Sequence, residues 1–282
     1  KGTTVTCQGG YKAAGIGGSW ATRNIAESLF NLDMYGHGAN MHFGSQTNPS
    51  LWSGTIIAKG GDGGAGIGGG RNGSGEKLYF YSGKIEAKGG ETGSGIGGSF
   101  KGRGRDIYIY GGDISATGGT AGAGIGGGCW TSEQDMDGDT AAYNINIYGG
   151  KIYACGGYNG AGIGGGQYVP ARDITITGGE VTAEGSTRGI SGGSVSIEDG
   201  TVTATATDTG GNGIFGDSVT ITGGEITARG GSRAVSANEA ITIGQGVTVV
   251  GGADEDNTDT LEPDGNGQIN LIGVKYLHTT PP

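Results

Sequence analysis

Short segments in which every second residue is apolar recur along most of the chain. In one set Ile or Val occupies two alternate positions, as in Ile107 and Ile109, and in another Ile or Val alternates with Ala, as in Ile114 and Ala116. Alternation with a period of two is typical of β-strands that bury one face. No sustained helical period accompanies it, so the pattern predicts an all-β protein built from many short strands.

A Gly-Ile-Gly-Gly word, or a variant of it, recurs between these strands and places one apolar residue in each repeat. The residues concerned are Ile16, Ile67, Ile96, Ile125, Ile163, Ile190, Ile214 and Val235. Three short strands per repeat cannot bury a face alone, so they are expected to stack on their equivalents in neighbouring coils. We predict a single-stranded parallel β-helix of about nine coils, in which longer repeats carry insertions. The right-handed form follows from the general preference of parallel crossovers.

The domain organisation predicted from these repeats is a single β-helix domain over residues 1–282. Insertions are expected at about 19–50 and 129–143, and a C-terminal coil and cap at about 240–282. The chain opens almost directly on the strand-like segment 3–6 and closes on two prolines. Both ends are therefore expected to be boundaries inside a larger protein with other domains.

The Gly-Ile-Gly-Gly word resembles the glycine-rich repeats of bacterial cell-surface proteins, especially those of Firmicutes from the gut and rumen. More loosely, it is similar to the polysaccharide-lyase-like right-handed parallel β-helices that bind carbohydrate. The resemblance covers residues 1 to about 250. It implies an extracellular or cell-surface location and a carbohydrate partner, but no catalytic residues of such a family can be matched onto this chain.

The amino-acid composition and net charge exclude several classes of protein and of binding partner. Glycine supplies 70 of the 282 residues, but with only five prolines and no Gly-X-Y period a collagen is excluded. A net charge of −10 argues against nucleic acid and anionic membranes as partners. The apolar runs are too short for a membrane span, and three cysteines cannot all pair with one another.

Two rows of outward-facing tyrosines are the first candidate binding surface. One row contains Tyr79 and Tyr108, and the next contains Tyr81, Tyr110 and Tyr148. Coils stack about 4.8 Å apart, which is close to the length of a sugar residue in an extended glycan. Tyr110 and Tyr148 could therefore stack on successive sugar rings. The structural alternative is that these tyrosines simply pair across neighbouring strands.

The glycines that flank each inward Ile form the second candidate surface. They are expected to face outward and to form a stripe of bare backbone, which has two interpretations. Either a turn with positive φ repeats in every coil, or the stripe is a groove floor on which a ligand or a covering loop lies.

Both insertions leave the coil at one edge of this stripe, so the N-terminal two-thirds is predicted to be the active face and the later coils a scaffold. The glycan-binding candidates, together with Tyr110 and Tyr148, are Trp20, Arg23, Tyr35, His37, Trp130, Tyr158 and Tyr168. A glycan lying along a glycine-floored groove beside these residues is the preferred function.

Catalysis is the alternative. Asp62 and Glu91 fall on adjacent coils, where their carboxyl groups could approach to roughly 5 Å, the separation found in retaining glycosidases. With acids of the insertions, they would make the protein a glycoside hydrolase or a polysaccharide lyase. Those acids are Asp33, Asp135, Asp137 and Asp139.

Cofactor chemistry is limited to calcium. The carboxylates of Asp135, Asp137 and Asp139 are hard oxygen ligands that suit Ca²⁺, and a second acidic loop lies at 254–259. A solvated loop is the other interpretation of each, and no other cofactor is predicted. Threonine rows in the later coils raise an ice-binding alternative, but charged residues such as Glu180 and Glu184 interrupt them.

Overall fold

The computed structural model describes residues 3–19, 36–47, 54–130, 142–245, 247–262, 269 and 271–281. Within these ranges the chain forms strands and turns but no helix. The strands stack in two extended sheets whose neighbours are parallel over almost the whole length. The predicted all-β parallel β-helix is therefore confirmed, in agreement with the right-handed form expected for parallel crossovers.

The first sheet takes one strand from each coil, and these strands carry the alternating Ile/Val–Ala pairs. Its parallel strands are β1 (Thr4–Gln8), β4 (Thr55–Lys59), β7 (Lys84–Lys88), β10 (Asp113–Thr117), β13 (Lys151–Cys155), β16 (Glu180–Gly185), β19 (Thr201–Ala206) and β21 (Glu225–Arg229). Ile85, Ile114 and Ile152 pair in register and are buried, as the alternation predicts.

The second sheet takes two strands from each of the earlier coils, one very short and one longer. The short strands are β2 (Ile16–Gly17), β5 (Ile67–Gly68), β8 (Ile96–Gly97), β11 (Ile125–Gly126), β14 (Ile163–Gly164) and β17 (Arg188–Ser191). The longer strands are β3 (Gly38–Phe43), β6 (Gly75–Phe80), β9 (Gly104–Ile109), β12 (Tyr143–Ile147), β15 (Asp173–Ile176) and β18 (Ser194–Ile197). In the last coils the two merge into β20 (Asn212–Ile221) and β22 (Arg233–Ile243).

The apolar residues of the repeated word lie directly over one another, as predicted. Neighbouring short strands align Ile16 with Ile67 and continue one residue per coil to Val235. Ile67 to Ile214 in this column are completely buried. Each such side chain contributes about 1.5–3 kcal/mol by its burial, so the columns account for much of the stability of the rod.

The glycines that flank Ile67, Ile96, Ile125 and Ile163 are buried, so the expectation that they face outward was wrong in these coils, whereas Gly17 of the first coil is exposed. A backbone hydrogen bond closes a five-residue segment around Ile16, Ile67, Ile96, Ile125 and Ile163, and we call this segment the arch. The donor and acceptor are Ala65 N and Gly69 O in one arch, 2.9 Å apart, and Ser94 N and Gly98 O in the next, also 2.9 Å apart. The Ile at the tip points into the core, while both flanking glycines lie against other backbone.

Close backbone contact explains the glycines. A Cβ at Gly95 would lie 2.6 Å from Thr117 N in the first sheet and 2.7 Å from Gly124 O in the next coil. Gly97 has a φ of 124°, and a Cβ there would collide with Gly126 O. The first glycine is thus needed for the approach of the two sheets, and the second for its backbone conformation and the stacking of coils.

Two turns of the chain cover each arch. The leading turn precedes it, as in Gly90–Gly93, and the trailing turn follows it, as in Ser99–Gly102. The trailing turn of one coil donates to the leading turn of the preceding coil: Phe100 N to Gly63 O at 2.9 Å, and Gln167 N to Ala121 O at 2.8 Å. The chain itself is therefore the covering loop, and no open glycine-floored groove runs along the coils at Ile67 to Ile163.

Part of the segment assigned to the first insertion is a regular strand. β3 lies inside residues 19–50 and pairs in register with β6. Phe43 is buried and its ring stacks on Phe80, with the centroids 4.8 Å apart. The Gly-Ala-Asn-Met-His-Phe stretch did not match the Ile pairs used to find strands, although Met41 and Phe43 keep the same alternation.

The C-terminal end of the first sheet is antiparallel. Its strands are β23 (Thr248–Gly252), β24 (Thr258–Thr260) and β25 (Tyr276–Thr280). β25 pairs with β21, aligning Leu277 with Ala228, and its other edge pairs with β23. Leu277 and Val249 are buried, so this segment extends the core and covers the edge of the last parallel strand.

The first prediction concerns the arches. Gly95→Ala is expected to lower the stability by about 1–3 kcal/mol, because its methyl group must displace backbone atoms of two neighbouring strands. Gly10→Ala is the matched control, since nothing lies within 4 Å of a Cβ at that exposed position. Urea denaturation midpoints of both variants and the native protein check this. Equal midpoints for the two variants would contradict the proposed arch packing.

Candidate functional site

The predicted tyrosine rows form a stacked ladder on the outer face of the second sheet. The ring centroids of Tyr79 and Tyr108 lie 5.2 Å apart, those of Tyr81 and Tyr110 also 5.2 Å, and those of Tyr110 and Tyr148 4.9 Å. Planes within each pair are inclined by about 10° or less. Each inner ring therefore presents its face to a neighbouring ring.

This stacking limits what the ladder can bind. Tyr110 and Tyr148 are 45% and 43% exposed, but a sugar that stacks on an aromatic ring needs an open face. The next residue in the row after Tyr148 is Thr177, so the outer face of Tyr148 is where the ladder ends. Cross-strand pairing explains the ladder without a ligand, and a role of Tyr110 and Tyr148 in binding stays a prediction.

Beside the ladder, polar side chains form ion pairs and hydrogen bonds with one another. Arg105 lies 2.5 Å from Glu76 and donates to the Tyr143 hydroxyl at 3.0 Å. Although burial opposes it, the hydrogen bonds to Glu76 and Tyr143 raise the pKa of Arg105. Asn144 donates to Asp106 at 2.6 Å and to the Tyr108 hydroxyl at 2.8 Å. The groups of this network pair with one another, which suits a structural role.

His37 and Trp130, both predicted to bind glycan, are engaged in the structure. Nδ1 of His37 accepts a hydrogen bond from Ser74 N at 3.0 Å, so it has no proton to donate to Glu76, 3.6 Å away. Trp130 is only 8% exposed, and the Lys101 ammonium lies 5.4 Å from its ring centroid. With so little exposure, the Trp130 ring presents no open stacking face in the described structure, and glycan binding by either residue stays a prediction.

Asp62, Glu91 and Tyr158 are exposed and occupy the second position of their leading turns, and Thr120 holds that position in the coil between Glu91 and Tyr158. The turns are tied together by Gly90 N, which donates to Gly64 O at 2.8 Å. This arrangement brings Asp62 and Glu91 to adjacent coils, as predicted. Both carboxylates lie on the outer surface and neither lines the cleft described below.

The remaining predicted residues lie outside the described ranges. They are Trp20, Arg23, Asp33, Tyr35, Asp135, Asp137 and Asp139. In the part that the structure describes, no group of three or more His, Cys, Asp or Glu is placed to hold a metal ion. In the second acidic loop, Asp254 accepts hydrogen bonds from the backbone and side chain of Asn257. Calcium binding by Asp135, Asp137 and Asp139 remains untested.

A cleft opens where the coils change their cross-section. From Ile163 to Ile174 the chain advances eleven positions, but from Ile190 to Val195 only five, because the later coil has no trailing turn. In earlier coils a trailing turn bonds the leading turn of the coil before it, as Gln167 bonds Ala121. Without that turn, the space beside Asn159 stays open. We call this opening the step cleft.

The step cleft has a volume of about 660 Å³, within the range of small-molecule sites, roughly 300–1,000 Å³. Its upper wall comes from the last complete pair of turns, and its lower wall from the two coils that follow. The polar and aromatic side chains lining it are Asn159, Gln167, Tyr168, Thr187, Arg188, Ser191, Asn212, Phe215 and Asp217. Amide and hydroxyl groups predominate, together with an aromatic ring on each wall.

Tyr168 of the upper wall has an unusual backbone. Its φ is 59°, in the left-handed region that a bulky side chain seldom adopts. The equivalent residues of earlier trailing turns, Asn72 and Lys101, share this conformation, and asparagine tolerates it best. Tyr168 is also 44% exposed. The positive φ thus belongs to the trailing turn, and what distinguishes Tyr168 is a bulky, exposed ring in that conformation.

Arg188 and Phe215 lie together on the lower wall. The guanidinium carbon of Arg188 is 4.4 Å from the centroid of the Phe215 ring, which is a cation–π contact. Burial lowers the pKa of Arg188 below its ordinary value, and no other cause contributes. This arginine is therefore held in a partly dry position by an aromatic ring.

Sequence reasoning missed this site because it treated the later coils as scaffold. Of the predicted residues within the described ranges, only Tyr168 lines the cleft, and Tyr158 is next to the lining residue Asn159. The available signal was the fall in spacing between the two Ile columns after Ile176. In three dimensions that change removes a covering turn and exposes the turns of the preceding coil.

Comparison with known proteins supports the repeat assignment. The family described as beta helix repeat matches residues 52–71, 81–100, 107–129, 145–167, 174–194 and 219–237. The first two segments each contain a strand of the first sheet and the arch after it. These repeats and the parallel sheets support a protein of a parallel β-helix family. No curated protein and no solved structure matches the chain.

Among the described residues, no helix has the length and apolar character needed to cross a bilayer.

The strain at Tyr168 yields a second prediction. Tyr168→Asn is expected to leave the stability unchanged or raise it by about 1 kcal/mol, because asparagine adopts a positive φ at lower cost. Tyr168→Phe keeps the strain and the ring, so its melting temperature should match that of the native protein. Thermal denaturation of the three proteins decides this. A large destabilisation by asparagine would show that the ring packs as a structural element.

A third prediction concerns Cys129, next to Trp130. Burial raises the pKa of its thiol to about 11, so almost no reactive thiolate is present at neutral pH. With iodoacetamide at pH 8, the less buried Cys7 and Cys155 should be alkylated first, and Cys129 should react appreciably only as the pH nears 11. Peptide mass spectrometry measures the three rates. Comparable rates at pH 8 would mean that this region is open in solution.

Proposed function

We propose that this parallel β-helix protein is an extracellular carbohydrate-recognition domain that binds an oligosaccharide or polysaccharide at the step cleft. The proposal moves the predicted glycan site from a groove along the glycines to the end of the covered coils. Its location at a bacterial cell surface follows from the resemblance of the Gly-Ile-Gly-Gly repeats to surface proteins. Other domains of the same chain would then present it to its ligand.

The observation that carries this proposal is the exposed Tyr168 ring beside a cleft lined by amides and hydroxyls. Sugars offer apolar C–H faces that stack on aromatic rings, and hydroxyl groups that pair with amide side chains. Asn159, Gln167 and Asn212 supply such amides around the ring. Unlike the tyrosines inside the ladder, Tyr168 has no ring stacked on it among the described residues.

Recognition fits the cleft better than hydrolysis. Glycosidases need two carboxyl groups, about 5–5.5 Å apart in retaining enzymes and about 6.5–9.5 Å apart in inverting ones. Among the described residues that line the step cleft, Asp217 is the single acidic one, and it accepts a hydrogen bond from Asn238 at 2.8 Å. The alternative of a glycoside hydrolase or polysaccharide lyase therefore depends on residues other than those described at the cleft.

A glycan array tests the proposal. The native protein should retain one class of glycan, and Tyr168→Asn should reduce that binding at least tenfold without loss of stability, because the stacking face is removed. Tyr148→Thr is the matched control: Tyr148 is 43% exposed against 44% for Tyr168, and threonine follows it in its own row. This variant should bind like the native protein.

Other outcomes separate the alternatives. Loss of binding in Tyr148→Thr but not in Tyr168→Asn would assign the ligand to the tyrosine ladder instead of the cleft. New reducing ends, or unsaturated products that absorb in the ultraviolet, would identify a hydrolase or a lyase. Retention of no glycan by the native protein would overturn the proposed function.

A further inference from the structure

We infer that the ligand of the step cleft carries an anionic group, a carboxylate or a sulfate ester on a sugar, and that Arg188 binds it. This inference rests on the proposed function, because it specifies the chemical class of glycan for the same cleft. Three observations support it. Arg188 stands at a position that is small in the preceding coils, its charge is partly buried without a counter-charge, and its guanidinium contacts Phe215.

Arg188 occupies a position that is small in every complete arch. The residue two places before the column Ile is Ala65, Ser94, Ala123 or Ala161 in the coils with covering turns, and all four are buried. In the next coil the equivalent residue is Arg188. The leading turn of that coil is shorter, and its trailing turn is absent. A long cationic side chain thus appears at the point where the cleft opens, and it lines that cleft.

The charge of Arg188 has no carboxylate partner in the described part of the chain, whereas Arg105 pairs with Glu76 and Arg229 with Glu255. Arginine stays protonated in proteins, so its partial burial leaves a cation that has lost water and gained no counter-ion. Asp217 lines the same cleft, but no ion pair joins it to Arg188 and its carboxylate accepts from Asn238. An anionic ligand would supply the missing charge.

Phe215 prepares the guanidinium for this role. The cation–π contact at 4.4 Å restrains a side chain that would otherwise lose freedom on binding. The planar guanidinium has five N–H donors, and its fork matches carboxylate and sulfate-like oxygens in pairs. Amides on both walls, such as Asn159 and Asn212, can then bind the neutral hydroxyls of the same sugar.

Isothermal titration calorimetry with three probes tests the inference: a galacturonic acid hexamer, a chondroitin sulfate hexasaccharide and cellohexaose. The native protein should bind at least one acidic probe on the order of tenfold or more tighter than cellohexaose. Arg188→Gln should weaken that binding on the order of ten- to a hundredfold, as expected for hydrogen bonds to a charged group. Rising salt should weaken the acidic probe but not the neutral one.

Arg233→Gln is the matched control. Arg233 lies in the same column two coils further along and does not line the cleft, and its substitution changes the net charge by the same amount. It should bind both acidic probes like the native protein. Arg188→Lys keeps the charge but lacks the planar fork, so its affinity should be intermediate. Melting temperatures show whether each variant is folded. If Arg188→Gln does not fold, Arg188→Lys alone is used to test the inference.

The outcomes distinguish this inference from the proposed function. Binding of neutral glycans with no preference for acidic ones would overturn the inference and leave the carbohydrate module intact. The same holds if both Arg188 variants bind the acidic probes like the native protein. If the native protein binds no glycan in the array or by calorimetry, the proposed function itself fails, and the inference with it.

Discussion

Backbone packed directly against backbone is the constraint on which the rest of this molecule depends. In each arch, the Cα of the first glycine lies directly against the main chain of the first sheet. The second glycine lies against the backbone of its equivalent in the next coil. The core between the two sheets consists mainly of columns of Ile, Val and Ala, with Leu78 and Phe80 among its larger side chains. The leading and trailing turns then close over the arch and bury it.

The step cleft exists because this constraint ends. After Gly164, the column of second glycines continues with Ser191 and Phe215, which lie in longer strands without a positive φ. The coils after this point also lack trailing turns. The turns around Tyr168 therefore extend beyond the smaller cross-section of the coils that follow. A repeat that covers itself offers little surface for a ligand, and its interruption creates a concave site from residues of three coils.

The stacked aromatic rows illustrate how a repeat produces a regular surface that needs no ligand to explain it. Equivalent residues of neighbouring coils fall within ring-stacking distance, so tyrosines at one position satisfy each other. The network of Arg105, Glu76 and Tyr143 does the same with charge. Arg188 differs because its neighbours in the column, Ala161 and Asn212, are dissimilar, and Tyr168 differs because no ring stacks on it among the described residues. Departures from the repeat are therefore more informative about binding than the repeat itself.

The amino-acid sequence by itself determined the class of fold, the inward columns and the stacking of Ile67 on Ile96 and Ile125, because side-chain period and repeat spacing are local properties. It also predicted that the glycines had a reason to recur, but not that Gly66 and Gly95 would be buried. Only the tertiary structure decided which backbone lies against those glycines and which turns cover them. The step cleft likewise could not be predicted, since it depends on a turn that is missing from one coil and on the turns of another.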